Sequence, residues 1–117
     1  MNEERFRKLV EEALDSLPEE FVKRLNNVSV VLADDPSPEL LKGLKLPRWT
    51  LLFGLYQGVP QTRRGFYSGV LPDKITIFKN PIERVARTEE EIKAQVRATV
   101  IHEIGHHFGL SEEDLKK

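Results

Sequence analysis

The sequence predicts a small domain of mixed helix and strand, and three observations carry that expectation. Apolar residues near the N-terminus (Phe6, Leu9, Val10, Ala13, Leu14, Leu17) recur at spacings of three and four between charged positions, the pattern of an amphipathic helix. Short β-branched runs at 28–33 and 74–79 are bounded by turn residues, as strands are. Toward the C-terminus, Ile92, Val96, Val100, Ile104 and Phe108 form one apolar stripe along a much longer helix. A chain of 117 residues, 39% of them hydrophobic, fits a single domain spanning 1–117, with one core and no room for a separate substrate domain.

The elements follow in order. The first helix runs from about residue 3 to 17, and Pro18 opens a second over 19–26, since proline is tolerated at a first helical position. Val28 to Ala33 reads as a buried strand ending in the turn residues Asp34, Asp35 and Pro36. A loop or short helix through Leu40, Leu41 and Leu44 leads to a second strand over Leu51 to Tyr56, with Trp49 and Phe53 assigned to the core. Thr62 to Gly69 has no clear period and reads as a loop with room for a short strand. Asp73 is expected in a turn, and Lys74 to Lys79 alternates Ile75 and Ile77 with polar neighbours, which suggests a half-exposed edge strand. Asn80-Pro81 starts a short helix through Ile82 and Val85. Thr88 with Glu91 forms a capping box at the head of the long helix, Glu89 to about Phe108. That helix spans roughly 30 Å, enough to cross the domain, and its apolar surroundings are expected to aim its histidines inward. Gly109 stands where a glycine lets the chain reverse, and Ser111 with Asp114 can cap a short final helix.

Composition excludes several classes of function. The formal charge is −1, with acids and bases interspersed, so no long-range field recruits nucleic acid or anionic lipid. The chain has no cysteine, which removes disulfides, thiolate metal sites and cysteine nucleophiles together. The charged N-terminus has no apolar run behind it. Neither a signal peptide nor a membrane span is expected, and the expected location is cytoplasmic.

The chemistry concentrates in His102-Glu103-Ile104-Gly105-His106, an H-E-x-x-H sequence. On a helix, positions i and i+4 share a face, so both imidazoles reach one Zn²⁺ while Glu103, about 100° round, serves as general base. A catalytic zinc needs three protein ligands and an open position for water. After Gly109 turns the chain, Glu112 stands three residues on and offers the third, with Glu113 and Asp114 as competitors. His107 is offset from His106 and is expected to support the site rather than ligate. Against an accidental match stand three facts: all three histidines fall within six residues, the helix is apolar around them, and a glycine and an acid follow at the required spacing. Arg63-Arg64 is more simply solvated surface charge than an anion-binding pair, and Tyr56 and Tyr67 read as packing residues with wet hydroxyls.

The pattern His102-Glu103-x-x-His106-x-x-Gly109-x-x-Glu112 resembles the zincin metallopeptidases in their metzincin form, with Glu112 where histidine or aspartate is usual. More narrowly, Leu55-Tyr-Gln-Gly-Val-Pro60, Leu71 to Phe78, Pro81 to Arg84 and Thr99 to Gly109 resemble the small bacterial zincin-like family, the minimal zincins. That resemblance implies an α+β fold: a small twisted mixed sheet packed on a long active-site helix, with an N-terminal helix and a short C-terminal one. It also implies one Zn²⁺ per chain held by His102, His106 and Glu112. Met1 is the sole methionine, so no Met-turn supports the metal. The implied activity is hydrolysis of a peptide or protein substrate. With no room expected for a C-terminal subdomain, the cleft is expected to be shallow and bounded by the strand 74–79, to which an extended peptide would add as a further strand. A zinc protein that binds a peptide or partner without cleaving it is the alternative. A metal-dependent ribonuclease is disfavoured, because it would lack the acid at Glu103 and would need a basic stripe. The oligomeric state is not legible in the sequence.

Overall fold

The structure, a computed structural model, describes residues 1–58, 73–107 and 109. Helix α1 (Glu3–Asp15) is capped by Asn2, whose side chain accepts from the Arg5 N–H at 2.7 Å, and Glu3 and Glu4 complement the helix dipole in its first turn. Helix α2 (Glu19–Leu25) follows Pro18 and buries Phe21. Strand β1 (Val28–Ala33), helix α3 (Pro38–Gly43), strand β2 (Gly54–Gln57) and strand β3 (Asp73–Phe78) come next. Helix α4 (Lys79–Val85) then leads to helix α5 (Glu89–His107). The expected capping box closes in both directions: Glu91 N–H donates to Thr88 Oγ1 at 3.1 Å, and Thr88 N–H donates to Glu91 Oε1 at 3.0 Å.

The sheet order is β1-β3-β2, with β1 parallel and β2 antiparallel to β3. This corrects the expectation of an edge strand over Lys74 to Lys79. Strand β3 has a hydrogen-bonded neighbour on each side, so no peptide can add to it. Ile75, Thr76, Ile77 and Phe78 are all buried. The polar Thr76 disguises a central strand as an alternating one. Strand β1, expected to be buried, lies at the edge of the sheet among the described residues and alternates half-buried Val28, Val30 and Leu32 with exposed Ser29 and Val31. The second strand begins three residues later than expected, because pairing with β3 sets where the ladder runs; before it, the Phe53 carbonyl accepts from Phe78 N–H at 2.9 Å. Trp49 is not in the core: it is 82% exposed, whereas Phe53 packs against the core from its edge.

Helices α1 and α5 cover one face of this sheet, the usual two-layer solution for burying it. Ile75 and Ile77 of β3 meet Phe6, Leu9 and Val10 of α1 and the stripe Ile92, Val96, Val100 and Ile104 of α5. At the outer end of that interface the Arg5 guanidinium grips the Glu89 carboxylate, with Nε–Oε2 2.6 Å, and this bond holds the Glu89 carboxyl below its usual range. Phe108, Glu112 and the expected final helix lie outside the described residues, as do Arg63, Arg64 and Tyr67.

The α5–β2 contact is unusually close at one point. A Cβ added to Gly54 would lie 2.7 Å from Thr99 Cγ2 and 3.0 Å from the Thr76 carbonyl oxygen. Gly54→Ala should therefore destabilise the protein by about 1–3 kcal/mol, measured by denaturant unfolding, and Thr99→Ser in that background should recover part of the loss by removing the methyl group.

Candidate metal centre and its supporting strand

The close approach at Gly54 sets a register. Four helical residues advance about 6 Å and two strand residues slightly more, so an i, i+4, i+8 row of α5 can run beside an i, i+2, i+4 row of β2. The rows are Thr99, Glu103, His107 and Gly54, Tyr56, Gly58. Thr99 meets Gly54, as described. Glu103 Oε1 accepts from the Tyr56 N–H at 3.0 Å. The His107 ring stacks on Tyr56, with centroids 4.0 Å apart and planes 29° apart, and a methyl group at Gly58 would stand 3.4 Å from His107 Cε1.

Tyr56 is cross-strand from Ile75, and strand periodicity puts Asp73 on the same helix-facing side of β3. The Tyr56 hydroxyl donates to Asp73 Oδ2 at 2.8 Å, and His107 Nε2 lies 4.0 Å from that oxygen. Asp73 is thus the first residue of β3 with its carboxylate engaged, rather than a turn residue, and the Tyr56 hydroxyl is bonded to protein rather than simply wet. Reading residue by residue misses both roles. The available signal is the alternation Gly54-x-Tyr56-x-Gly58, which marks a strand face approached closely by another element.

His102 and His106 lie on the next row of α5. Both are exposed, which corrects the expectation that they point inward; the core instead takes the row through Val100 and Ile104, and Glu103 between the two rows is half-buried. Their ring centroids are 6.2 Å apart with planes 31° apart, so the pair is side by side on one face. His102 Nδ1 is 2.8 Å from the Ala98 carbonyl oxygen. A carbonyl only accepts, so Nδ1 donates in this bond, which in the neutral ring leaves the lone pair on Nε2. That is the arrangement in which a metal-ligating histidine is ordinarily held, its other ring nitrogen donating to a backbone carbonyl. The pair therefore fits two of the three protein ligands of a catalytic zinc. Among the described residues no group of three His, Asp or Glu side chains is arranged to hold a metal ion, and Glu112, Glu113 and Asp114 lie outside them. Gly109 does adopt the left-handed conformation expected of a helix-terminating glycine, with φ 72° and its N–H donating to the His106 carbonyl.

A cleft of about 290 Å³ opens beside these residues. Leu51 to Gly54 form one wall; Gln95, Ala98 and Thr99 form the other; His102 and Glu103 close one end. The Gln95 amide donates to Thr99 Oγ1 at 3.2 Å along the helix wall, and the lining of the trough is largely apolar.

A family model described as zincin-like metallopeptidase matches residues 25–117, a span that takes in all three strands and α5 and leaves out α1. A solved structure, that of a conserved hypothetical protein from T. thermophilus, is similar over 92% of this chain and 94% of its own, with a TM-score of 0.59 and 25% sequence identity. No curated protein matches the chain. No helix among the described residues is long and apolar enough to cross a membrane.

The His102 geometry is open to a direct check. In metal-free protein, nitrogen-15 NMR of the neutral His102 ring should show its proton on Nδ1; a ring protonated on Nε2 would contradict the bond to Ala98 and the ligand role built on it.

Proposed function

The chain belongs to the zincin-like metallopeptidase family, and from that premise we infer that it is a zinc-dependent peptidase acting on a peptide or protein substrate. The observation that carries the reading is the division of labour on α5. His102 and His106 form an exposed pair with one imidazole already oriented by Ala98, while Glu103 is turned toward β2 and held there by a main-chain N–H.

His102 and His106 would hold one Zn²⁺ per chain, with Glu112 as the third protein ligand. When bound, the metal supplies Lewis acidity: it polarises the scissile carbonyl and makes a water nucleophilic near neutral pH. Glu103 acts as the proton carrier, taking a proton from the attacking water and delivering it to the leaving amine. The Ala98 carbonyl keeps the His102 ring in the tautomer that a metal ligand requires.

Strand β2 takes over the substrate-aligning role that the sequence suggests for β3. Phe53 pairs with Phe78 and Leu55 with Thr76, so Gly54 and Tyr56 direct their backbone groups away from β3. Tyr56 N–H is already engaged by Glu103. The backbone of Gly54 and the residues before it borders the cleft and supplies the edge along which an extended peptide would lie, its scissile bond at the end formed by His102 and Glu103.

Elemental analysis of protein purified without chelators should find one zinc per chain, lost in His102→Ala and His106→Ala and weakened in Glu112→Ala. Glu103→Gln should keep its zinc and lose about 10²-fold or more in kcat on a susceptible peptide. Full zinc with no turnover of any member of a diverse peptide library would instead indicate a zinc-dependent binding protein.

A further inference from the structure

Glu103 is a half-buried side chain with three rotatable bonds, and proton transfer demands placement to within a few tenths of an ångström. The contacts that supply such placement converge on Tyr56. Its N–H donates to Glu103 Oε1, its hydroxyl donates to Asp73 Oδ2, and its ring lies against His107. These tie β2 to the first residue of β3 and to the last turn of α5, one turn beyond Glu103. Gly58 keeps the space beside His107 and Asp73 clear, since a Cβ there would lie 3.4 Å from His107 Cε1 and 3.7 Å from Asp73 Oδ1.

We propose that Tyr56 is the positioning residue of Glu103, and that Asp73 and His107 brace Tyr56 so that its main-chain N–H fixes one carboxylate oxygen and leaves Oε2 to take the proton. The proposal rests on the reading of Glu103 as the proton carrier. Its physical basis is that a carboxylate anchored through one oxygen to a rigid strand keeps the other within hydrogen-bond reach of the attacking water, whereas an unanchored one samples rotamers that are not. The anchor is backbone, so side-chain chemistry alone would not reveal it. The side chain of Tyr56 acts only by holding its own backbone in place.

Hydrogen exchange at the residue-56 amide tests this in the zinc-loaded protein. That amide points away from β3 and owes its protection to Glu103, whereas the Leu55 amide belongs to the ladder with Thr76 and serves as the internal control. Glu103→Ala should accelerate exchange at residue 56 and leave Leu55 unchanged. Tyr56→Phe, which keeps the ring stack and loses the hydroxyl, and Asp73→Ala should each accelerate exchange at residue 56 and lower kcat by about tenfold, with KM within about twofold and zinc content intact. Asp73→Asn, which retains an acceptor for the hydroxyl, should recover most of both effects. Unchanged exchange at residue 56 in Glu103→Ala overturns the proposal. So does acceleration that spreads to Leu55, because the cluster would then merely pack the strand. If the wild-type enzyme is active and Tyr56→Phe and Asp73→Ala match its kcat, the positioning role alone has failed; if zinc-loaded wild-type protein turns over no peptide, the peptidase reading has failed, and the exchange data still report whether Tyr56 holds Glu103.

Discussion

Helix α5 approaches β2 so closely that only a hydrogen atom fits on the strand at Gly54, and the arrangement of the candidate site depends on that approach. A helix and a strand have different rises, yet over one helical turn the two nearly coincide. Once Thr99 is seated against Gly54, Glu103 necessarily arrives at Tyr56 and His107 one step further along. A larger residue at position 54 would lift the helix off the strand, and the loss would extend beyond local packing to the bond that orients Glu103. The candidate site is in this sense a consequence of backbone proximity, and the side chains facing β2 inherit their positions from a glycine that has no side chain of its own.

Three rows of α5 do three different things. The row through Ile92, Val96, Val100 and Ile104 enters the core against α1 and the β3 isoleucines, and supplies the apolar burial that fixes the helix. The row through Thr99, Glu103 and His107 faces β2 and is partly enclosed. The row through His102 and His106 faces outward. Such a division lets a small protein place polar groups precisely without burying them, which matters because an enclosed imidazole pair would need partners to offset its desolvation. The result is an open trough with an apolar wall from Leu51 to Phe53, rather than a deep pocket.

Much of this is legible without coordinates. The capping box at Thr88 and Glu91, the apolar stripe of α5, the span of β1 and the left-handed conformation of Gly109 follow from local rules, because each depends on neighbours within a few residues. The departures share a cause. Strand β3 reads as an edge because Thr76 interrupts its apolar pattern, yet whether a strand is central depends on what pairs with it. Trp49 reads as core by composition, and its position at the surface depends on the path of a loop. The histidines read as inward-facing because the helix around them is apolar, but the stripe and the motif occupy different rows.

What the chain encodes locally is which residue types stand at which helical spacing: His102 and His106 on one face, Glu103 beside them, and Gly109 after them. These are properties of a single helix, whose geometry is the same wherever it forms. The other side of the site is settled by packing alone. Tyr56, Asp73 and Gly54 come from two strands distant in the chain, and nothing in their local pattern states which helix will lie against them. The bond from the Tyr56 N–H to Glu103 is a main-chain contact, which every residue type except proline could make. It therefore leaves no mark in the sequence beyond the small residues that clear its path.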